Sequence, residues 1–137
     1  MKKLLLIIAL IPFGFLLSCN AQEQPGGDSK ANITAPRNIS AKEAKAMMDE
    51  GKPYTLLDVR TAGEYSSGHI KGAILIPNTE IASRAGKELP DKGAVILIYC
   101  RSGVRAANAA QILAGMGYTN VYNFGGIMDW PYETVKD

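Results

Sequence analysis

The chain has 137 residues, 47% of them hydrophobic, with 15 lysines and arginines against 13 aspartates and glutamates; that suffices for one domain with a single sizeable core. Two cysteines and one histidine exclude a disulfide framework and leave no ligand set for a metal. The net charge of +2 belongs to Lys2 and Lys3 of an N-terminal segment, so the rest is balanced and offers no footprint for nucleic acid.

Met1-Lys2-Lys3 precedes an apolar run from Leu4 to Leu17, too short to span a bilayer comfortably and laid out like a secretory signal. It ends in Leu16-Leu17-Ser18-Cys19, which resembles the lipobox of bacterial lipoproteins. That resemblance implies cleavage after residue 18 and lipidation of Cys19. Several buried acyl chains, at about 0.8 kcal/mol per CH2, anchor firmly, so residues 1–18 are expected to be a signal peptide and the mature protein a membrane-tethered lipoprotein of the cell envelope. It would face away from the cytoplasm, on the periplasmic face or at an outer membrane. Residues 19–36, rich in Gln, Gly, Pro, Ser and Lys, have the composition of a flexible linker. Residues 37–137 form the domain.

Ser40-Ala41-Lys42-Glu43 has the spacing of a capping box, and Ala44, Met47 and Met48 continue at helical spacing until Gly51 and Pro53, which predicts a first helix. Tyr54 to Val59 reads as a strand, with Asp58 and Arg60 placing opposite charges at its end. Thr61-Ala62-Gly63-Glu64 is a second capping box and starts a short helix. Gly68 to Pro77 reads as a turn leading into a short strand, Asn78 to Leu89 as mostly helix, and Pro90-Asp91-Lys92-Gly93 as a turn. Ala94 to Ile98 is apolar without polar alternation, the pattern of a strand buried on both faces. Val104 to Leu113 is predicted helical, ended by Gly115 and Gly117. Asn120 to Phe124 is a last short strand, Gly125-Gly126 a turn, and Ile127 to Val135 a closing helix interrupted near Pro131. Strands alternate with helices, which implies a parallel α/β sheet in three layers.

Cys100 follows the central apolar run and is flanked by Arg101 and Ser102. It stands at the carboxyl end of a strand, where open α/β sheets bind ligands, and beside the N-terminus of the next helix. A thiol beside a helix N-terminus and arginines is in the setting that favours thiolate. Gly103, without a Cβ, lets the loop curl so that successive amides point inward at an anion carried by the sulfur. With Cys19 used for lipid, Cys100 has no partner for an intrachain disulfide. An unpaired thiol in an oxidising compartment calls for a reactive role.

Three motifs carry a family resemblance. Leu57-Asp58-Val59-Arg60 through Glu64-Tyr65 to Gly68-His69-Ile70-Lys71-Gly72-Ala73 and Ile76-Pro77 is the first. Tyr99-Cys100-Arg101-Ser102-Gly103-Val104-Arg105-Ala106 is the second, and Gly125-Gly126 to Trp130 the third. Together they make Ile39 to about Val135 resemble a single rhodanese (sulfurtransferase) domain: a three-layer α/β fold with a mostly parallel central sheet flanked by helices. The resemblance implies that Cys100 takes sulfane sulfur from a donor such as thiosulfate or a persulfide. Cys100 then carries it as a persulfide and hands it to an acceptor, a small nucleophile or a protein thiol, without cofactor or metal, in a protein expected to be monomeric.

The loop residues Arg101, Ser102, Gly103, Val104 and Arg105 would bind the anion: the two arginines by attraction, Ser102 by a hydrogen bond, the amides as an oxyanion hole holds oxygen. Asp58 and Arg60 read as a structural charge pair near the sheet edge, His69 as a turn histidine and Trp130 as core. Ser102 stands at a loop position where thiosulfate specialists of the family often carry a basic residue. Phosphatase chemistry, which also uses a cysteine and arginine on a loop, needs five intervening residues; four separate Cys100 from Arg105. A rhodanese-like binding or redox relay module without its own turnover is the alternative of a different class.

Overall fold

The computed structural model describes residues 33–137; the signal segment, Cys19 and most of the linker lie outside the described residues. Five strands, β1 (Arg37–Asn38), β2 (Thr55–Asp58), β3 (Ile74–Leu75), β4 (Ile96–Cys100) and β5 (Val121–Gly126), alternate with four helices, α1 (Ala41–Asp49), α2 (Ala62–Ser67), α3 (Ile81–Glu88) and α4 (Val104–Gly115). All strand pairs are parallel, in the order β1-β5-β4-β2-β3. The three-layer α/β expectation therefore holds, and β4 is the middle strand.

Every residue of β4 is buried, and its alternation sorts the core. Ile96, Ile98 and Cys100 pack with Leu57, Val59 and residues of α3 and α4. Leu97 and Tyr99 pack on the opposite face with Ala44, Leu56, Phe124 and Trp130. Two apolar coverings explain the unbroken hydrophobic run, each fully buried Ile or Leu contributing roughly 1.5–3 kcal/mol. In α4 the buried face is Ala106, Ala109, Ala110, Leu113 and Ala114, small side chains that bring its axis close to the sheet and its first turn close to the end of β4.

Both predicted capping boxes form: Ser40 and Thr61 accept from the amides of Glu43 and Glu64, whose carboxylates reach back. The carboxyl end of the chain differs from expectation. Gly125 and Gly126 continue β5 instead of turning, Gly126 lying opposite Cys100 across a register shift between Ile98 and Cys100. The predicted closing helix is a single 3-10 turn, Ile127–Asp129. Proline fixes its own φ and drives the residue before it out of the helical region; Trp130 accordingly adopts φ −86, ψ 107. Trp130 is buried as predicted, in an aromatic series running Tyr99, Phe124, Trp130, Tyr132 with ring centroids 5.4, 5.5 and 4.8 Å apart. Beyond it Val135 and His69 exchange backbone hydrogen bonds of 2.9 and 2.8 Å. Asp58 ends β2, an interior strand between β4 and β3, so the Asp58–Arg60 pair is not at the sheet edge.

Candidate active site

Cys100 is the last residue of β4, and Gly103 is the N-cap of α4. Gly103 has φ +103, left-handed backbone that side-chain-bearing residues avoid, and a Cβ there would lie 3.2 Å from Gly125 Cα. The curl turns the Gly103 amide back onto the sulfur: Gly103 N–H donates to Cys100 Sγ at 3.0 Å. No side chain caps α4, so the free amides of its first turn, with the positive end of its dipole, stay available at the same end. The outer side of the loop is pinned by Met128 N–H, which donates to the Arg101 carbonyl at 3.2 Å. That carbonyl is thereby turned outward and the loop amides inward. Cys100 is 1% exposed, so the thiol sits at the floor of the loop rather than on the surface.

Two guanidiniums near this floor are closed off by carboxylates. Arg105, in the first turn of α4, makes a two-pronged pair with Glu64 of α2: Nη1 to Oε2 and Nη2 to Oε1, both 2.8 Å. Glu64 also accepts from the Thr61 amide and hydroxyl, each at 3.0 Å. Arg105 chiefly, and then the Thr61 bonds, bring the Glu64 carboxyl down to about 2 against some burial penalty; the same pair raises Arg105. Arg60 is held by Asp58, Nη2 to Oδ2 at 2.6 Å and Nε to Oδ1 at 3.0 Å, with a further bond from Nη2 to the Gly68 carbonyl at 2.8 Å. Both members are buried, and the Arg60 guanidinium lies over the Tyr99 ring at 5.6 Å. Arg101 is exposed and has no carboxylate partner among the described residues. Ser102 is exposed and Val104 is 76% exposed.

A cleft of about 400 Å3 opens beside the loop, walled by Arg60, Glu64, Arg101, Ile127 and Met128 among others. A larger cavity of about 650 Å3, among Met48, Ile70, Trp130 and Tyr132, touches none of the residues expected to carry chemistry; the smaller cleft is the one that adjoins the loop. His69 stacks on Tyr65 with centroids 3.8 Å apart and takes no part. Sequence reasoning did not find Glu64 as the partner of Arg105. Its capping-box signal placed the carboxylate on α2, and nothing local foretold a pair spanning 41 residues.

A parallel α/β sheet with a cysteine at the end of its middle strand and a glycine-bent loop of inward amides defines a class of domain that handles anionic sulfur. Residues 40–132 match the rhodanese-like domain, and the chain belongs to the rhodanese family. It is 40% identical over 80 residues to thiosulfate sulfurtransferase PspE of Escherichia coli (strain K12), covering 58% of this chain and 77% of that protein. It is 31% identical over 111 residues to probable adenylyltransferase/sulfurtransferase MoeZ of Mycobacterium tuberculosis, covering 80% of this chain but 28% of that protein. Among solved structures, rhodanese with anions from E. coli superposes with a TM-score of 0.59 at 38% identity, over 62% of this chain and all 100% of that one.

Proposed function

We propose that the protein is a sulfurtransferase that works through a persulfide on Cys100. The observation that carries this reading is the Gly103 amide aimed at Cys100 Sγ at 3.0 Å, at the uncapped start of α4. In the first half-reaction the Cys100 thiolate attacks the outer sulfur of thiosulfate, or of a persulfide. The new bond is Cys100 Sγ to sulfane sulfur; the donor's S–S bond breaks, and its electron pair leaves with sulfite, or with the donor thiolate. The Cys100 persulfide anion then rests among amides that need not reorganise to hold it. In the second half-reaction a nucleophile such as cyanide, or a protein thiolate, takes the outer sulfur and Cys100 leaves as thiolate. Arg101 attracts the anion, the amides of Gly103, Val104 and Arg105 hold it, and Ser102 lends its hydroxyl. Asp58 and Arg60 brace the wall.

The name of PspE supports thiosulfate as one donor. The test is thiocyanate formation from donor and cyanide by the purified protein: turnover that disappears in Cys100→Ser supports the reading. Absence of turnover with thiosulfate and with persulfides would replace it by a binding module of the same fold.

We also propose that Cys19 carries the lipid and that the domain works outside the cytoplasm as a membrane-anchored monomer. The run from Met1 to Cys19 supports this. Incorporation of labelled fatty acid in cells, lost in Cys19→Ala, is the expected result; equal labelling of the variant, or none of either, contradicts it.

A further inference from the structure

Three guanidiniums stand around the proposed sulfur site, yet two are spent internally: Arg60 on Asp58 and Arg105 on Glu64. Arg101 alone faces the cleft without a carboxylate partner among the described residues. The Glu64 carboxylate itself is part of the cleft wall, so an incoming anion meets a negative group as well as Arg101. Ile127 and Met128 supply an apolar wall, and Met128 is 67% exposed. A dianion approaching a thiolate there must shed a tight hydration shell with one free cation to compensate it. A monoanion with an organic substituent sheds less and can lay that substituent on Met128 and Ile127.

We infer that Glu64, by closing Arg105 into an ion pair, tunes this site toward singly charged sulfane-sulfur donors that carry an apolar group, organic thiosulfonates and organic persulfides, over dianionic thiosulfate. The inference rests on the proposed sulfurtransferase activity and specifies its donor. With a thiosulfonate, Cys100 thiolate attacks the terminal sulfur; the Sγ–S bond forms, the donor S–S bond breaks, and the organic sulfinate departs with the electron pair. One negative charge stays on the Cys100 persulfide and one leaves with the sulfinate, so two enter and two remain. Glu64 is a specificity-determining residue that acts partly through Arg105.

The test measures kcat/KM for benzenethiosulfonate and for thiosulfate, with cyanide as acceptor, on wild type and on Glu64→Gln. Glutamine preserves the capping box with Thr61 and can still accept from Arg105, so only the charge is removed. Taking the ratio of the two donors on one preparation makes the readout independent of how much of it is folded. Wild type should favour the thiosulfonate, and Glu64→Gln should move the ratio toward thiosulfate by about tenfold. A ratio unchanged by the substitution, with both donors turned over, overturns the inference and leaves the sulfurtransferase reading intact. Failure of both donors to load Cys100 in wild type removes that reading and this one with it.

Discussion

Gly126 lies directly beneath the Arg101 carbonyl: a Cβ on Gly126 would come within 2.0 Å of that oxygen and 2.6 Å of Ser102 Cα. Both contacts are with backbone, which cannot swing aside as a flexible side chain can. The end of β5 is therefore the floor on which the loop after Cys100 is moulded. Gly126→Ala should cost on the order of 1–3 kcal/mol through overpacking. The same change should displace the Gly103 amide from the sulfur. A fall in kcat larger than the fall in folded fraction, measured by denaturant titration alongside turnover, is the expected outcome.

The buried Asp58–Arg60 pair gives a second prediction. Removing one partner leaves an uncompensated charge away from water, so Asp58→Ala should destabilise the domain by about 3–5 kcal/mol. Replacing both residues by apolar ones of similar volume should cost much less. Urea midpoints of the single and double variants decide between this and a pair that matters little.

Glu64 supplies the pH dependence. Its carboxyl, ordinarily near 4.5, is held at about 2 by Arg105 and Thr61. A carboxyl depressed in the folded state contributes stability that is complete above the unfolded value and lost as pH falls through the folded one. The loss should fall between about pH 4.5 and about pH 2. Because the pair is about a third exposed, screening reduces its contribution to about 1 kcal/mol. Thermal unfolding of Glu64→Gln should show a correspondingly smaller loss across that window, while wild type loses its advantage.

Burial of Cys100 makes access the next measurable quantity. With the residue 1% exposed at the floor of the loop, a compact alkylating reagent such as iodoacetamide should modify it several times faster than a bulky maleimide of comparable intrinsic reactivity. Equal access would mean that the loop opens freely in solution. Mass spectra taken over a time course report both rates.

Much of this site could be read along the chain. Ser40 with Glu43, and Thr61 with Glu64, announced two helix starts, because a cap is written within four residues. Cys100 could be placed at a strand end because β4 is buried on both faces and so carries no polar alternation. What was not legible depends on contacts between distant segments. Arg37–Asn38 is a strand only through pairing with Tyr122 and Asn123; two exposed residues have no periodicity to reveal. Gly125-Gly126 reads as a turn by composition, yet it is extended because the loop after Cys100 needs a surface without side chains. The closing helix failed at Pro131, whose influence on Trp130 outweighed the helical spacing around it. The Arg105–Glu64 pair joins two helix N-termini that only the folded sheet brings together.

The most direct test of the central claim is the intact mass of the mature protein after incubation with excess sulfane-sulfur donor and removal of small molecules. The account predicts a gain of one sulfur atom, absent in Cys100→Ser and removed from wild type by cyanide. An unchanged mass with thiosulfate, a thiosulfonate and an organic persulfide alike, on protein whose Cys100 is shown to be reduced, would contradict it.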